Sequence, residues 1–416
     1  MRRGETLAHD GPRSRGALIA SAVMLIALPL VAIQGPFHTT PMDAVNGLFV
    51  AIYWAVLLAR RERIEMPLLV PFWVIMVASL TASYDVPDGL RATITVVEDV
   101  YLYIWFVTLV HFLSHRCRVR EIGMMWVVVA CAVAFLTLGD AHFGLFGGRF
   151  AGTTRATGTF ENPNMFGDYL VVSLFAAWAV AAGGQRLAYL ALPLLFAGVL
   201  ATASNGCLVS VIAGVGTVVI AHRSFWKPRQ LGAVLLAGGV LFGTVAAFYD
   251  QIQEAAMERF SGGRSEVGGA AAKGASERLP IWENLIVQVM QRPLGVGPGG
   301  FADINAETTG DHHAAHSEYL GMLAERGFIG FAGWLGVMGG ILLMVRRIAA
   351  ASSVGYRPFG VPQTYGLFGA MAAHALVIEL SHFRHTWLIF AVLAAAAAQA
   401  TARTADAEPV VLREAA

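Results

Sequence analysis

Two stretches of this chain gather the side chains that can do chemistry. In RATGTFENPNMFGDYL (155–170), an arginine, two asparagines and an acid stand beside an apolar run. Arg155 offers planar, bidentate donors suited to phosphate. Gly158, Pro163, Asn162 and Asn164 read as a tight, hydrogen-bonding turn, more specific than a snorkelling lipid anchor needs. In DHHAAHSEYL (311–320), His312, His313 and His316 lie close to Asp311 and Glu318. If helical, His312 and His316 have the i, i+4 spacing of zinc ligands, but neither an HExxH pattern nor a cysteine partner accompanies them. A solvated histidine-rich loop is a second reading. A single histidine acting as base or hydrogen-bond donor is a third, for which His316 is the best candidate because the loop there becomes helix. An unperturbed histidine, with a pKa near 6.5, suits general-base work.

The elements that carry these residues follow from composition. Of 416 residues, 56% are hydrophobic and 14% charged, and mean hydropathy is +0.60, which excludes an ordinary soluble domain. Apolar runs of about 17–21 residues match the length that crosses a bilayer. Twelve spans are predicted, at 17–34, 44–59, 67–83, 94–113, 122–139, 164–182, 187–203, 206–221, 231–249, 328–345, 361–380 and 385–400. The first reads as an uncleaved helix, since VAIQGP makes a poor cleavage site. With the N-terminus inside, the inner loops and both tails hold 19 of the 29 Lys and Arg residues. The short outer loops carry only Arg91, Arg149, Arg155 and Arg384. Both termini are therefore expected in the cytoplasm. The expected organisation is an inner tail (1–16), nine spans (17–249), a large outer loop (250–327), three further spans (328–400) and an inner tail (401–416). Net charge of +1 gives no sign of a nucleic-acid partner, and three cysteines in or beside apolar runs argue against a disulfide framework.

The outer loop has its own order. It contains Arg259, Arg264, Lys273, Arg278, Arg292 and Arg326 on the side where topology selects against cations. Arg155, Arg278 and Arg264 are taken as anion-binding candidates, Arg292 and Arg326 as lipid anchors. The glycine-rich segment 261–277 reads as a flexible connector. Beyond it, Ile281, Trp282, Leu285, Ile286, Val289 and Met290 make one apolar helical face, expected along the membrane surface. Gly295, Gly297 and Gly300 match GxGxxG but follow a helix rather than a strand, so no nucleotide site is expected, while a turn presenting backbone N–H groups to an anion is. Glu98, Asp99 and Asp168 sit about a turn inside the outer ends of their spans, where acids are costly. They suggest a polar cavity open to the outside, or an ion pathway. Glu379, His374 and SHFRH (381–385) add polarity at the same end.

Three segments in order, RATGTFENPNMFG, ERLPIWENLIVQVMQRPLGVGPGGF and AHSEYLGMLAERGFIG, resemble the O-antigen ligase and polymerase superfamily of membrane glycosyltransferases. The resemblance implies an all-α membrane protein of the inner (plasma) membrane with its active site facing the periplasm. It implies a polyprenyl-diphosphate-linked oligosaccharide as donor and a glycan or lipid A–core as acceptor, with the glycan moved whole, inversion at the anomeric carbon, and neither cofactor nor metal. On this resemblance His316 is catalytic, and Arg155 and Arg278 hold the diphosphate with Asn162, Asn164 and Arg264. His313, Asp168, Glu98 and Glu318 are accessory candidates. Two departures bear on ligase proper more than on the superfamily: Asn205 in TASNGCLVS stands where many members carry arginine, and HSEYL where ligases often read His-Asn. A repeat-unit polymerase and a protein O-glycosyltransferase share these features, and a secondary transporter or flippase is the rival outside enzymes, although the halves show no internal repeat.

Overall fold

The computed structural model describes residues 15–31, 33, 40–85, 89–151, 155–160, 162–222, 270–310 and 314–414, the side chains of Asp85, 270–279, Thr309 and 406–414 excepted. Among the described residues all regular structure is helical. The α-helices are α1 (Arg15–Ala27), α2 (Pro41–Arg60), α3 (Leu69–Ala82), α4 (Gly89–Arg116), α5 (Val119–Phe143), α6 (Pro163–Ala182) and α7 (Ala191–Ala201). They continue with α8 (Asn205–Ala221), α9 (Ala270–Gln291), α10 (Phe301–Thr309), α11 (Glu318–Ala351), α12 (Val361–His374) and α13 (Arg384–Glu414). Six of them, α2, α4, α5, α6, α11 and α13, are long and apolar enough to cross a membrane. The expected spans at α1, α3, α7, α8 and α12 also fall on helices, though shorter ones. The span expected at 231–249 lies outside the described residues.

Large aromatics and small residues divide the packing between them. Trp105, Phe106, Phe166, Tyr169 and Phe175 are buried from α4 and α6, and α13 sets an alanine face (Ala391, Ala394–Ala397) against them. α13 packs on α4 and α11, and α12 packs on α8 and α6. The approach of α12 to α8 needs glycine: a Cβ at Gly366 would stand 2.3 Å from Val218 Cγ2 and 2.9 Å from the Gly214 carbonyl oxygen. Close backbone contact through small residues is how helices associate where solvent supplies no hydrophobic drive.

Four expectations change on meeting the structure. The connector at 261–277 is helical from Ala270 onward, because Ala270–Ala272 and Ala275 favour helix more than Gly274 opposes it. The apolar face of α9 is divided between the protein interior and the surface. Ile281, Leu285 and Val289 are buried with Val296, Phe301, Ile304, Ala315 and Ala324, and Trp282 packs beside them; Ile286 and Met290 are left exposed. α11 breaks at Gly327, whose φ of 64° and ψ of −167° are not helical. A Cβ there would meet the Pro293 carbonyl oxygen at 2.3 Å. The break frees the carbonyls of Ala324 and Glu325, which accept from Val296 and Gly297 N–H at 2.9 Å each. The glycine-rich turn is thus bonded to α11, with Gly299 N–H donating to Glu325 Oε2 at 2.9 Å, rather than presented to an anion. Finally, α12 stops at His374 instead of running to residue 380. Its continuation is held by Glu318: the Glu318 N–H donates to the carbonyls of Ala375 (2.8 Å) and Ile378 (3.1 Å), and its Oε2 accepts from Leu380 and Ser381 N–H.

Candidate active site

The Arg155 segment folds as a turn laid across the start of two helices. Asn162 caps α6, its Oδ1 accepting from Met165 N–H at 2.8 Å, with Pro163 in the first helical turn. Arg155 Nε donates to the Thr202 carbonyl at 2.8 Å and Nη2 to Asn164 Oδ1 at 2.7 Å. Ser204 Oγ donates to the same Asn164 oxygen at 3.0 Å. A backbone bond from Ala156 N–H to the Ala201 carbonyl, 3.0 Å, fixes the segment on the turn between α7 and α8. Ser204, the residue before α8, makes no side-chain cap on that helix. Helix N-terminal N–H groups attract anions. Asn205, in the position where the resemblance leads one to expect arginine, has a buried Oδ1 with no hydrogen-bond partner among the described residues.

One turn below Asn164, Asp168 is buried between two histidines. Its carboxylate accepts from His385 Nε2 at 2.7 Å and is also paired with His374 Nδ1, whose Nε2 stands 3.7 Å from Cys207 Sγ. This cluster locks α6, α8, α12 and α13 beneath the Arg155 turn. Asp168 is therefore an internal tie and not part of a cavity open to the outside. On α4 the correction applies to Asp99 alone. Asp99 is buried and accepts from Arg326 Nη2 at 2.6 Å, while Glu98 is exposed. Arg326 is no lipid anchor: it is 2% exposed, and its Nε donates to Ser79 Oγ at 2.9 Å, so one side chain joins α3, α4 and α11.

The histidine half is built at the start of α11. Ser317 caps that helix, its Oγ accepting from Leu320 N–H. His316, just before it, has a φ of +49° and is half-buried. Trp282 Nε1 of α9 donates to the Ala315 carbonyl at 3.0 Å, so the outer-loop helix is fastened one residue before His316. Four non-glycine residues have positive φ among those described. Arg61 and Leu68 lie at helix caps, whereas His316 and Ala203 stand in the two halves of the site, Ala203 between Thr202 and Ser204. Strain of this kind collects at functional sites.

Neighbours of the two halves meet in one buried cluster. Ala375, Leu380 and Phe383, from the turn after α12, form a cluster against which Met165, next to Asn164, and Tyr319, three residues after His316, both pack. Tyr319 Oη donates to the Ala372 carbonyl at 3.2 Å. Glu318 is buried as the tether of that turn. The backbone of Arg278 lies in α9, but its side chain, with Arg264 and His313, falls outside the described residues. Thr202 and Ser204 join the site without having been marked for it.

Among the described residues the chain is an all-helical bundle with six helices able to cross a membrane, a cation-bearing turn at Arg155 and a histidine at positive φ, His316. Residues 190–335, from α7 to the first part of α11, match the family model described as O-antigen ligase. The match supports the O-antigen ligase superfamily, the resemblance that the motifs carry. No curated protein matches the chain.

Proposed function

We propose that the protein is a membrane glycosyltransferase that moves a glycan whole from a polyprenyl-diphosphate carrier to a hydroxyl acceptor at the outer face of the inner membrane. The observation that carries this reading is the Arg155–Asn164 turn, whose neighbour Met165 packs on the same 375–383 cluster as Tyr319, three residues after His316. In the proposed reaction the acceptor hydroxyl attacks the anomeric carbon from the face opposite the leaving group. His316 takes the hydroxyl proton as the new C–O bond forms, and the glycosyl–phosphate bond breaks with inversion, leaving the diphosphate on the carrier. Arg155 and Arg278 neutralise the charge that develops on that diphosphate, without a metal or cofactor. One preorganised donor of this kind contributes about 3–4 kcal/mol. Asn164 and the Thr202 carbonyl hold the Arg155 guanidinium in place before the donor arrives, which is preorganisation in the literal sense.

The test is transfer by purified protein in detergent, with a lipid-diphosphate-linked oligosaccharide and EDTA. One reaction offers lipid A–core and another the donor alone, each repeated with His316→Ala. Product on lipid A–core that disappears in the variant defines a ligase, and a ladder of longer glycans from donor alone defines a polymerase. Undiminished transfer by His316→Ala would refute the assigned role.

A further inference from the structure

Arg91 is one of the few cations on the short outer loops, where topology selects against positive charge, and the proposed reaction leaves it without a task. Arg91, Thr95 and Asp99 recur at i, i+4 and i+8 on α4, so they share one face of that helix. Ile94, Val97 and Glu98 between them are exposed. The shared face receives the outer loop piece by piece. Arg91 Nη1 donates to both carboxylate oxygens of Asp303 in α10, at 2.8 Å each. Thr95 stands against the glycine-rich turn, where a Cβ on Gly299 would be 3.1 Å from its Oγ1 and 3.4 Å from Arg91 Nε. Asp99 takes Arg326 of α11.

This seat on α4 carries more than α10. Asn284 Nδ2 of α9 donates to Asn305 Oδ1 at 2.9 Å and to Thr308 Oγ1 at 2.8 Å, and Leu285 and Val289 are buried with Phe301 and Ile304. α9 and α10 are thus one piece. That piece reaches the site: Trp282 holds the Ala315 carbonyl, one residue before His316, and the backbone of Arg278 lies in α9. The turn 293–300 fastens the piece to α11 through the N–H groups of Val296, Gly297 and Gly299. Attachment to α11 alone would leave α9 and α10 free to tilt about that helix. A second attachment, to α4, removes the freedom.

We infer that Arg91 and Asp303 are a positioning pair for the transfer site, holding α9 and α10 against α4 so that Arg278 and the His316 segment keep their places. The inference rests on the proposed transfer reaction and gives it two further residues, which act through α9 rather than on the substrate. The pair is half-exposed, its side chains 40% and 41% accessible, and ion pairs of that kind contribute little to stability. Its effect therefore belongs in transfer rather than in melting.

The experiment compares wild type, Arg91→Asp, Asp303→Arg, the double exchange and Arg91→Lys as purified full-length protein. Transfer, melting temperature and amide hydrogen exchange in α9 and α10 are recorded for each. A single reversal sets like charges together and should lower kcat/KM on the order of 100-fold, the loss that a misplacement of about 1 Å causes. It should also speed exchange in α9 and α10, at the wild-type melting temperature. The double exchange restores the attraction and should return kcat/KM to within about tenfold of wild type. Lysine should do the same, because a single nitrogen of Arg91 makes both contacts. Single reversals as active as wild type would overturn the inference. A double exchange as poor as the single reversals would overturn it by giving Arg91 a direct role at the substrate. Activity lost only in step with melting temperature would reduce the pair to a stabilising contact. Failure of the proposed function is a separate result, wild type that forms no product; unchanged exchange in the single reversals would overturn the positioning pair even then.

Discussion

At the scale of single residues, two arginines show how differently the same side chain can be used. Arg155 is oriented by a carbonyl and an amide oxygen. Arg326 is neutralised by Asp99 inside the bundle. Arg155→Ala should lower transfer roughly 100- to 1,000-fold with little change in melting temperature, the loss expected for one preorganised donor at developing charge. Arg326→Ala should do the reverse. It strands the Asp99 carboxylate in the interior and should cost about 3–5 kcal/mol of stability, read as a fall in melting temperature in detergent. An Arg326→Ala protein that melted like wild type would contradict the buried pair. The sequence alone assigned Arg326 to the lipid interface, because position along a span shows depth in the membrane but not which way the side chain faces. Asp99 was visible as a costly intramembrane acid, and its partner, 227 residues away, was not.

At the scale of elements, the site depends on segments that are not regular. Gly327 interrupts α11 so that the glycine-rich turn 293–300 can bond to it, and that turn with α9 walls the histidine. Gly327→Ala meets both a positive φ and the Pro293 carbonyl. It should destabilise by about 1–3 kcal/mol from backbone strain alone, and reduce transfer more than an equally destabilising change in α3. Trp282→Phe removes the N–H that reaches Ala315 O together with part of the ring packed on the α9 cluster, and should lower both kcat and the melting temperature. Much of this level was legible. The tight turn of Gly158, Asn162, Pro163 and Asn164 beside Arg155 was read from residue types, since turn chemistry is local. The break at Gly327 and the early end of α12 were not. ERGFIGF and ALVIELSHF look continuous to any local rule, and what stops them is the backbone of 293–295 in one case and the Glu318 side chain in the other.

At the scale of the whole molecule, both halves of the site lie at the same end of the bundle, the end that charge placement assigns to the outside. Single cysteines at two exposed positions test that orientation in a background lacking Cys117, Cys131 and Cys207. Arg149→Cys should react with a membrane-impermeant maleimide on intact cells whose outer barrier is opened, and Arg357→Cys only after the inner membrane is breached. The reverse pattern would invert the account. Apolar length and the positive-inside pattern were enough to outline the bundle, whereas the helix pairing came from small-residue contacts such as Gly366 on Val218, which have no local signature. The most direct test of the central claim is donor binding, separated from turnover. The affinity of purified protein for a labelled polyprenyl-diphosphate-linked oligosaccharide should be measured for wild type, Arg155→Ala and His316→Ala, without acceptor. The account predicts that His316→Ala binds the donor as wild type does but cannot transfer it, while Arg155→Ala loses binding. Wild-type donor affinity in Arg155→Ala would contradict the claim that the turn at 155–164 holds the diphosphate.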